Sequence, residues 1–407
     1  MTAAPITHPR QSWKLLTALF ASANLLEIVL YSNLSQFTPL FLRNIGYDEA
    51  GVKLWTNILA SAGIALGFWF VPFWGVLADR HGRKLLIIRS FAIEAVAVML
   101  MAFSNNVWVF LLGRMMTGLA LGNTGLMFAT LTDTAPRARV GFAIGLVTGS
   151  TPVGVVLGSL LGGFIVSRFD VHLLFGLDAT LIGLLALTLF IIYHETFTPG
   201  ATYPIGRMLR TALGAVFTTP VVVSLFAFSF ITQFGYFFSF PTVPIRIAEL
   251  AGGDAGQTVG LVFGIAGIAT FFATPLWGLA ADRIGHRYLL PWVTLLTSLL
   301  FIPLYWADDL VRFTIVLFLL YGVSPAINSL TFATVGLETP ADKRGSVMSM
   351  IYMPLNAAIL FAPSLSALVT TEIRQVFLGS ALFTGLAFLL LMFVNRSHRE
   401  TSRQGNT

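Results

Sequence analysis

Twelve apolar runs, each about twenty residues or longer and mostly joined by short links, leave this 407-residue chain few ways to fold. Their approximate limits are 16–42, 54–77, 84–104, 107–133, 140–165, 172–193, 212–240, 257–281, 287–306, 310–336, 345–370 and 374–395. A helix needs roughly 20 apolar residues to cross the hydrocarbon core of a bilayer, whereas a barrel strand needs about ten of alternating polarity. The run lengths therefore predict an all-α membrane protein with twelve transmembrane helices.

Composition excludes the soluble alternative. Hydrophobic residues make up 56% of the chain and charged residues 10%, against roughly 25% charged in an average soluble domain. With no Cys, disulfides, thiolate metal sites and cysteine nucleophiles are excluded. The polar N-terminus, Met1 to Trp13, is followed by an apolar stretch too long for a signal-peptide core, which reads as a retained first span. One longer link, HETFTPGATYPIGRMLRT at 194–211, holds Pro199, Gly200, Pro204 and Gly206. It divides the chain into a six-helix bundle at 1–193, a linker at 194–211, and a second bundle with its tail at 212–407.

Positive charge orients the spans. If the chain starts in the cytoplasm, seventeen of its 24 Lys and Arg fall on cytoplasmic segments and six outside, with Arg114 inside a span. Cytoplasmic loops carry the excess of Lys and Arg, so both termini are expected in the cytoplasm of a cell that places the protein in its inner or plasma membrane. The net charge of +6 needs no nucleic-acid partner; contact with the anionic inner leaflet accounts for it.

The chain also repeats itself. PFWGVLADRHGRK at 72–84 and PLWGLAADRIGHR at 275–287 share seven of thirteen residues at an offset of 203. A second echo, FATLTDTAPRARVG at 128–141 and FATVGLETPADKRG at 332–345, has an offset of 204. Both pairs fall on equivalent ends of equivalent spans on one side of the membrane. The halves are therefore parallel repeats, related by an axis along the membrane normal.

With these turns the sequence resembles the major facilitator superfamily, over essentially its whole length. The family's G-x-x-x-D-R-x-G-R-[KR] motif after the second span is met by Gly75, Asp79, Arg80, Gly82, Arg83 and Lys84; the second copy keeps Gly278, Asp282, Arg283, Gly285 and Arg287. The resemblance implies the major facilitator fold. It also implies that Asp79, Arg83 and the acid at the end of span 4, Asp133, latch the two halves on the cytoplasmic side. The bland alternative is a charged turn that only sets topology.

Four ionisable residues lie inside spans: Glu27, Glu94, Arg114 and Asp178. Burial in a membrane is costly for each, which makes each a functional candidate. Asn24, Glu27, Tyr31, Ser35 and Thr38 follow steps of three and four, so they share one face of span 1 and are expected to line an aqueous cavity. Arg114, with Gly118 and Gly122, matches the family pattern R-x-x-x-G-x-x-x-G. In the family's drug:proton antiporters this arginine and an acid in span 1 belong to the proton-coupling site, which puts Glu27 and Arg114 in that role here. A static buried ion pair between spans 1 and 4 is the competing reading. In that fold spans 3 and 6 are scaffold helices, which makes Glu94 and Asp178 weaker candidates, Asp178 near the outer interface.

Span 5 reads GSTPVGVVLGSLLGG at 149–163 and partly matches a Gly-rich motif of the family's exporters, with Ser159 where Pro is usual. Close helix packing alone would also explain its glycines. In the second half, Gln233, Tyr236 and Phe237 on span 7, with Asn328, Met353 and Asn356, complete an apolar, aromatic cavity suited to varied hydrophobic ligands. No P-loop is present to bind ATP. The expectation is a monomeric secondary transporter, not an enzyme and without cofactors, using protons to export hydrophobic or cationic small molecules. The alternatives are transport of a defined metabolite, such as a sugar, organic acid or siderophore, and a non-transporting receptor on the same fold.

Overall fold

The computed structural model describes residues 12–120, 122–195, 220–339, 350–370 and 372–404, with positions 214, 217 and 347. Side chains 71–76, 79–81, 138 and 395–404 are outside that set, so Gly75, Asp79 and Arg80 are known as backbone only, and most of the 194–211 link is not described. Every regular element among the described residues is a helix. Span 1 is Trp13–Asn44, span 2 Glu49–His81, span 3 Arg83–Ala102, span 5 Val140–Arg168 and span 6 Val171–Ile192. Span 8 is Ala255–Ile284, span 9 His286–Trp306, span 11 Met353–Val369 and span 12 Gln375–Gln404.

Three spans are each built from two helices end to end. Span 4 is Val107–Thr117 and Asn123–Thr134, span 7 is Pro220–Ser239 and Val243–Leu250, and span 10 is Leu310–Val323 and Pro325–Glu338. Among the described residues, ten segments are long and apolar enough to cross a membrane unaided; the described helices of spans 4 and 11 are shorter than that.

The helix ends follow from local chemistry. Spans 2, 4, 6, 8 and 10 each start behind an Asp or Asn cap, namely Asp48, Asn106, Asp170, Asp254 and Asp309, whose side chain accepts a backbone N–H of the first turn. Such caps satisfy donors that the helix itself leaves free. The 2–3 and 8–9 links are instead single glycines. Gly82 has φ 87° and Gly285 φ 95°, a region that glycine enters without steric cost, so each chain reversal takes one residue. The twice-written turn thus folds twice in the same way.

Spans 1–6 pack among themselves, as do 7–12, and the halves meet mainly through spans 5 and 8 and spans 2 and 11. The end of the bundle with the two charged turns is here called the turn end, and the other the far end. At the far end a Cβ on Gly260 would strike the Ser159 carbonyl and the Gly163 backbone, so only glycines permit this approach of spans 5 and 8. Nearer the turn end, Gly145 and Gly149 on span 5 and Gly278 on span 8 have open space beside them. Two described hydrogen bonds join the halves, from Lys53 Nζ to the Thr370 carbonyl (2.5 Å) and between Ser364 and Ser61 (2.9 Å). Both link spans 2 and 11, and Lys53 and Thr370 sit at the far end of these helices. The halves are closed there and parted toward the turns.

Candidate functional site: a central cavity and its buried charges

A cavity of about 460 Å³ lies between the halves. Span 1 contributes Tyr31, Ser35 and Thr38, span 7 contributes Tyr236, Phe237 and Phe240, and Phe263, Tyr321 and Asn356 come from spans 8, 10 and 11. Its second-half wall is a run of aromatic contacts. Tyr236 stacks on Phe240 at 5.6 Å and meets Phe237 edge-on at 5.3 Å, with Tyr321 6.4 Å away. Arg114 is the one charged side chain that reaches the lining among the described residues.

Of the residues expected in the cavity, Tyr31, Ser35, Thr38, Tyr236, Phe237 and Asn356 line it, while Asn24, Glu27, Gln233, Asn328 and Met353 do not. Asn24 is the first correction. Its amide donates to the Val147 carbonyl (3.1 Å), Ser150 Oγ (2.9 Å) and Thr151 Oγ1 (3.0 Å) on span 5. Span 5 crosses span 1 there, and a Cβ on Gly154 would touch Ile28 and the Leu25 carbonyl. That crossing covers the lower end of the polar stripe. Gln233 is the second, since its amide donates to Asn328 Oδ1 (2.5 Å). Each satisfies the other between spans 7 and 10, outside the lining. Met353 is 42% exposed at the start of span 11 and faces away.

Glu27 and Arg114 make no ion pair within 4 Å. Arg114 donates from Nε to the Leu59 carbonyl on span 2 (3.1 Å), its guanidinium lies against Gly63, and its Nη1 is left unpaired. Gly118, a turn later, packs on the span 2 backbone at Gly63 and Gly67. Glu94 is the acid close enough to act on Arg114 by charge, with the neutral Tyr31 hydroxyl beside them. Glu94 was expected on a scaffold helix away from the site. Span 3 does stay out of the lining, yet the Glu94 carboxylate sits behind it, fully buried, facing Tyr31, Glu27 and Arg114. Glu27, Glu94, Arg114 and Tyr31 therefore form one cluster on the first-half wall. The signal that marked Glu94 as a candidate was its carboxylate midway along a largely apolar run, and what sequence could not show was that it faces the site.

Asp178 is buried as well, and both its oxygens accept from Asn33 Nδ2 (3.1 and 3.0 Å), which ties span 6 to span 1. Packing accounts for four of span 5's glycines, Gly154, Gly158 and Gly162 against span 1 and Gly163 against span 8, but not for Gly145 and Gly149, which face open space.

At the turn end, Arg83 Nη1 pairs with Asp133 at 2.6 Å. The bridge joins spans 3 and 4 of one half and does not reach the other half, because the halves are apart at that end. The second half repeats it as Arg287 with Glu338 at 3.2 Å. Asp282 and Arg283 are exposed on the second turn. Glu195, just past span 6, accepts the backbone N–H groups of Arg83 (3.0 Å) and Lys84 (2.7 Å). It supplies the anion that the N-terminus of span 3 favours, a role the sequence reading missed, as it missed Lys53.

Two six-helix halves around a central cavity with buried charges in its wall define a secondary transporter of the membrane. The sequence profile of the Major Facilitator Superfamily matches residues 19–254 and 225–407. The chain belongs to that superfamily, whose members are transporters and not enzymes.

Among curated relatives, Multidrug resistance protein MdtG of Klebsiella pneumoniae (strain 342) is 28% identical over 300 residues, 73% of each chain. MdtG of Salmonella dublin is 27% identical over 73% of this chain and 74% of its own. Among solved structures, the nucleoside transporter NupG superposes with a TM-score of 0.75 at 16% identity, covering 93% of this chain and 98% of its own. A bacterial homolog of the human lysosomal transporter Spinster, in an inward-facing and unoccupied conformation, gives 0.77 at 16% identity over 96% and 98%. At these identities the structures speak for the fold.

Proposed function

We propose that this protein exports hydrophobic or cationic small molecules across the cell's inner or plasma membrane in exchange for protons, with both termini cytoplasmic. The two bundles, 1–193 and 212–407, rock as units about the central cavity, and the 194–211 link joins them. The observation that carries this reading is the pairing of an aromatic cavity of about 460 Å³ with buried acids in its wall. Aromatic surfaces accept varied apolar ligands, and a few polar groups orient them. The similarity to the multidrug resistance proteins named MdtG points the same way.

In this reading the turn end is cytoplasmic, and the parted turn end is the loading state. Protonation of the Glu27 and Arg114 site and substrate binding compete, so the proton gradient biases the exchange between inward- and outward-open states. When the cytoplasmic end closes, the turn carrying Asp79 and Arg83 comes within reach of the second half and latches it.

The test is pH-gradient-driven efflux of a lipophilic cation, tetraphenylphosphonium, from proteoliposomes. Wild-type protein moves it uphill, and Glu27→Gln does not, although it folds. Uphill efflux by Glu27→Gln at the wild-type rate overturns the assignment of Glu27.

A further inference from the structure

We infer that Glu94 is a second carboxylate of the coupling site, sharing one exchangeable proton with Glu27 and reaching the cavity through the Tyr31 hydroxyl. The inference rests on the proton-coupled reading above and deepens it. Glu94 sits midway along span 3, is 0% exposed, and neither of its oxygens has a hydrogen bond of good geometry. A buried acid that serves only the fold is satisfied, as Asp178 is by Asn33. Glu94 is not.

The groups that face it are Glu27 and Tyr31 from span 1 and Arg114 from span 4. Other ionisable residues nearby are turned elsewhere. Asp178 on span 6 is held by Asn33, Lys53 on span 2 by Thr370, and Arg89 on span 3 itself reaches the Leu119 carbonyl.

Charge counting explains why a second acid matters. With Glu27 and Arg114 alone, the deprotonated site is neutral and the protonated site carries one positive charge, so a low-dielectric wall would resist the proton. Adding Glu94 reverses this. Two carboxylates and one guanidinium sum to minus one, and a single shared proton makes the site neutral. When that proton leaves, the site carries the charge that one monovalent cation in the cavity would neutralise. Tyr31 lines the cavity and faces Glu94. Its hydroxyl oxygen can take the carboxyl proton while its own proton passes to cavity water, so protons balance in each step. The exchange is one proton for one lipophilic monocation.

Two measurements on the full-length purified protein test this. The first counts protons released when tetraphenylphosphonium binds. Wild type should release about one per cation, as expected for a pair that titrates as a unit. Glu94→Gln should release none, and Glu94→Asp, which keeps the charge count, should restore release. The second follows the infrared band of protonated carboxylic acid as pH is varied without any ligand. Glu94→Gln should move its titration midpoint by about one pH unit or more.

Wild-type proton release and an unchanged infrared titration in Glu94→Gln would overturn the inference. If Glu94→Gln does not fold, Tyr31→Phe decides: release slowed about tenfold or more supports the relay, and an unchanged rate overturns it. If wild type binds no tetraphenylphosphonium, export of lipophilic cations falls, while the infrared titration still judges Glu94 on its own.

Discussion

Lys53, near the start of span 2, donates its ammonium to the carbonyl oxygen of Thr370, the residue that ends span 11 in the other half, at 2.5 Å. Lys53 is buried, and its partner lies at a helix C-terminus, where free carbonyls and the helix dipole favour a cation. The contact must break for the far end to open.

Lys53→Met should therefore weaken the closed far end by about 1.5–3 kcal/mol, the range for hydrogen bonds to charged groups. Spin labels on the far ends of spans 2 and 11 should show a larger population at long distance. An unchanged distance distribution would mean the bond contributes nothing to closure.

Gly260 faces Gly163 so closely that any side chain would meet backbone. Backbone cannot yield as a flexible side chain can. Gly260→Val should cost the closed far end about 1–3 kcal/mol, as overpacking does. Gly278→Val, at an open position of the same helix, should leave it intact. Cysteine cross-linking between the far ends of spans 5 and 8 distinguishes them, and equal yields for both variants would contradict the packing argument.

Arg114 is the cation facing Glu94 in the buried cluster. Its removal by Arg114→Met strands two acids and should destabilise the fold by about 3 kcal/mol or more. The sign of the pH dependence follows. Acid protonates the stranded carboxylates and removes their burial cost, so the loss should be greatest at high pH and shrink as pH falls. Melting temperatures of variant and wild type across pH would show this; a gap independent of pH would rule it out. Adding Glu27→Gln and Glu94→Gln should restore stability but not uphill transport, since no titratable acid remains.

Glu195 serves two backbone donors at the start of span 3. Glu195→Ala should lower stability by about 1 kcal/mol, the usual cost of losing a helix cap. The melting temperature should fall slightly, and the 2–3 turn should exchange its amide hydrogens faster. Exchange at the wild-type rate would show that solvent replaces the carboxylate freely.

Run length and composition determined that the chain crosses a membrane twelve times, because lipid leaves backbone polar groups no partner outside a helix. The offset repeats determined that the halves are alike, and Gly82 and Gly285 do form matching one-residue turns. The Asp and Asn caps of spans 2, 4, 6, 8 and 10 were likewise written locally. What a helix faces was not. Periodicity puts Asn24 and Tyr31 on one face of span 1, but the crossing of span 5 decides that Asn24 is covered while Tyr31 looks into the cavity. Span 3 reads as an apolar helix with one acid, and only its packing against spans 4 and 6 brings Glu94 to Arg114. Lys53 reads as a loop charge until span 11 ends against it. A side chain's direction on its own helix is local geometry set by 3.6 residues per turn. Which helix meets it depends on crossing angles and on glycines that let backbones touch, and those exist only in the packed bundle.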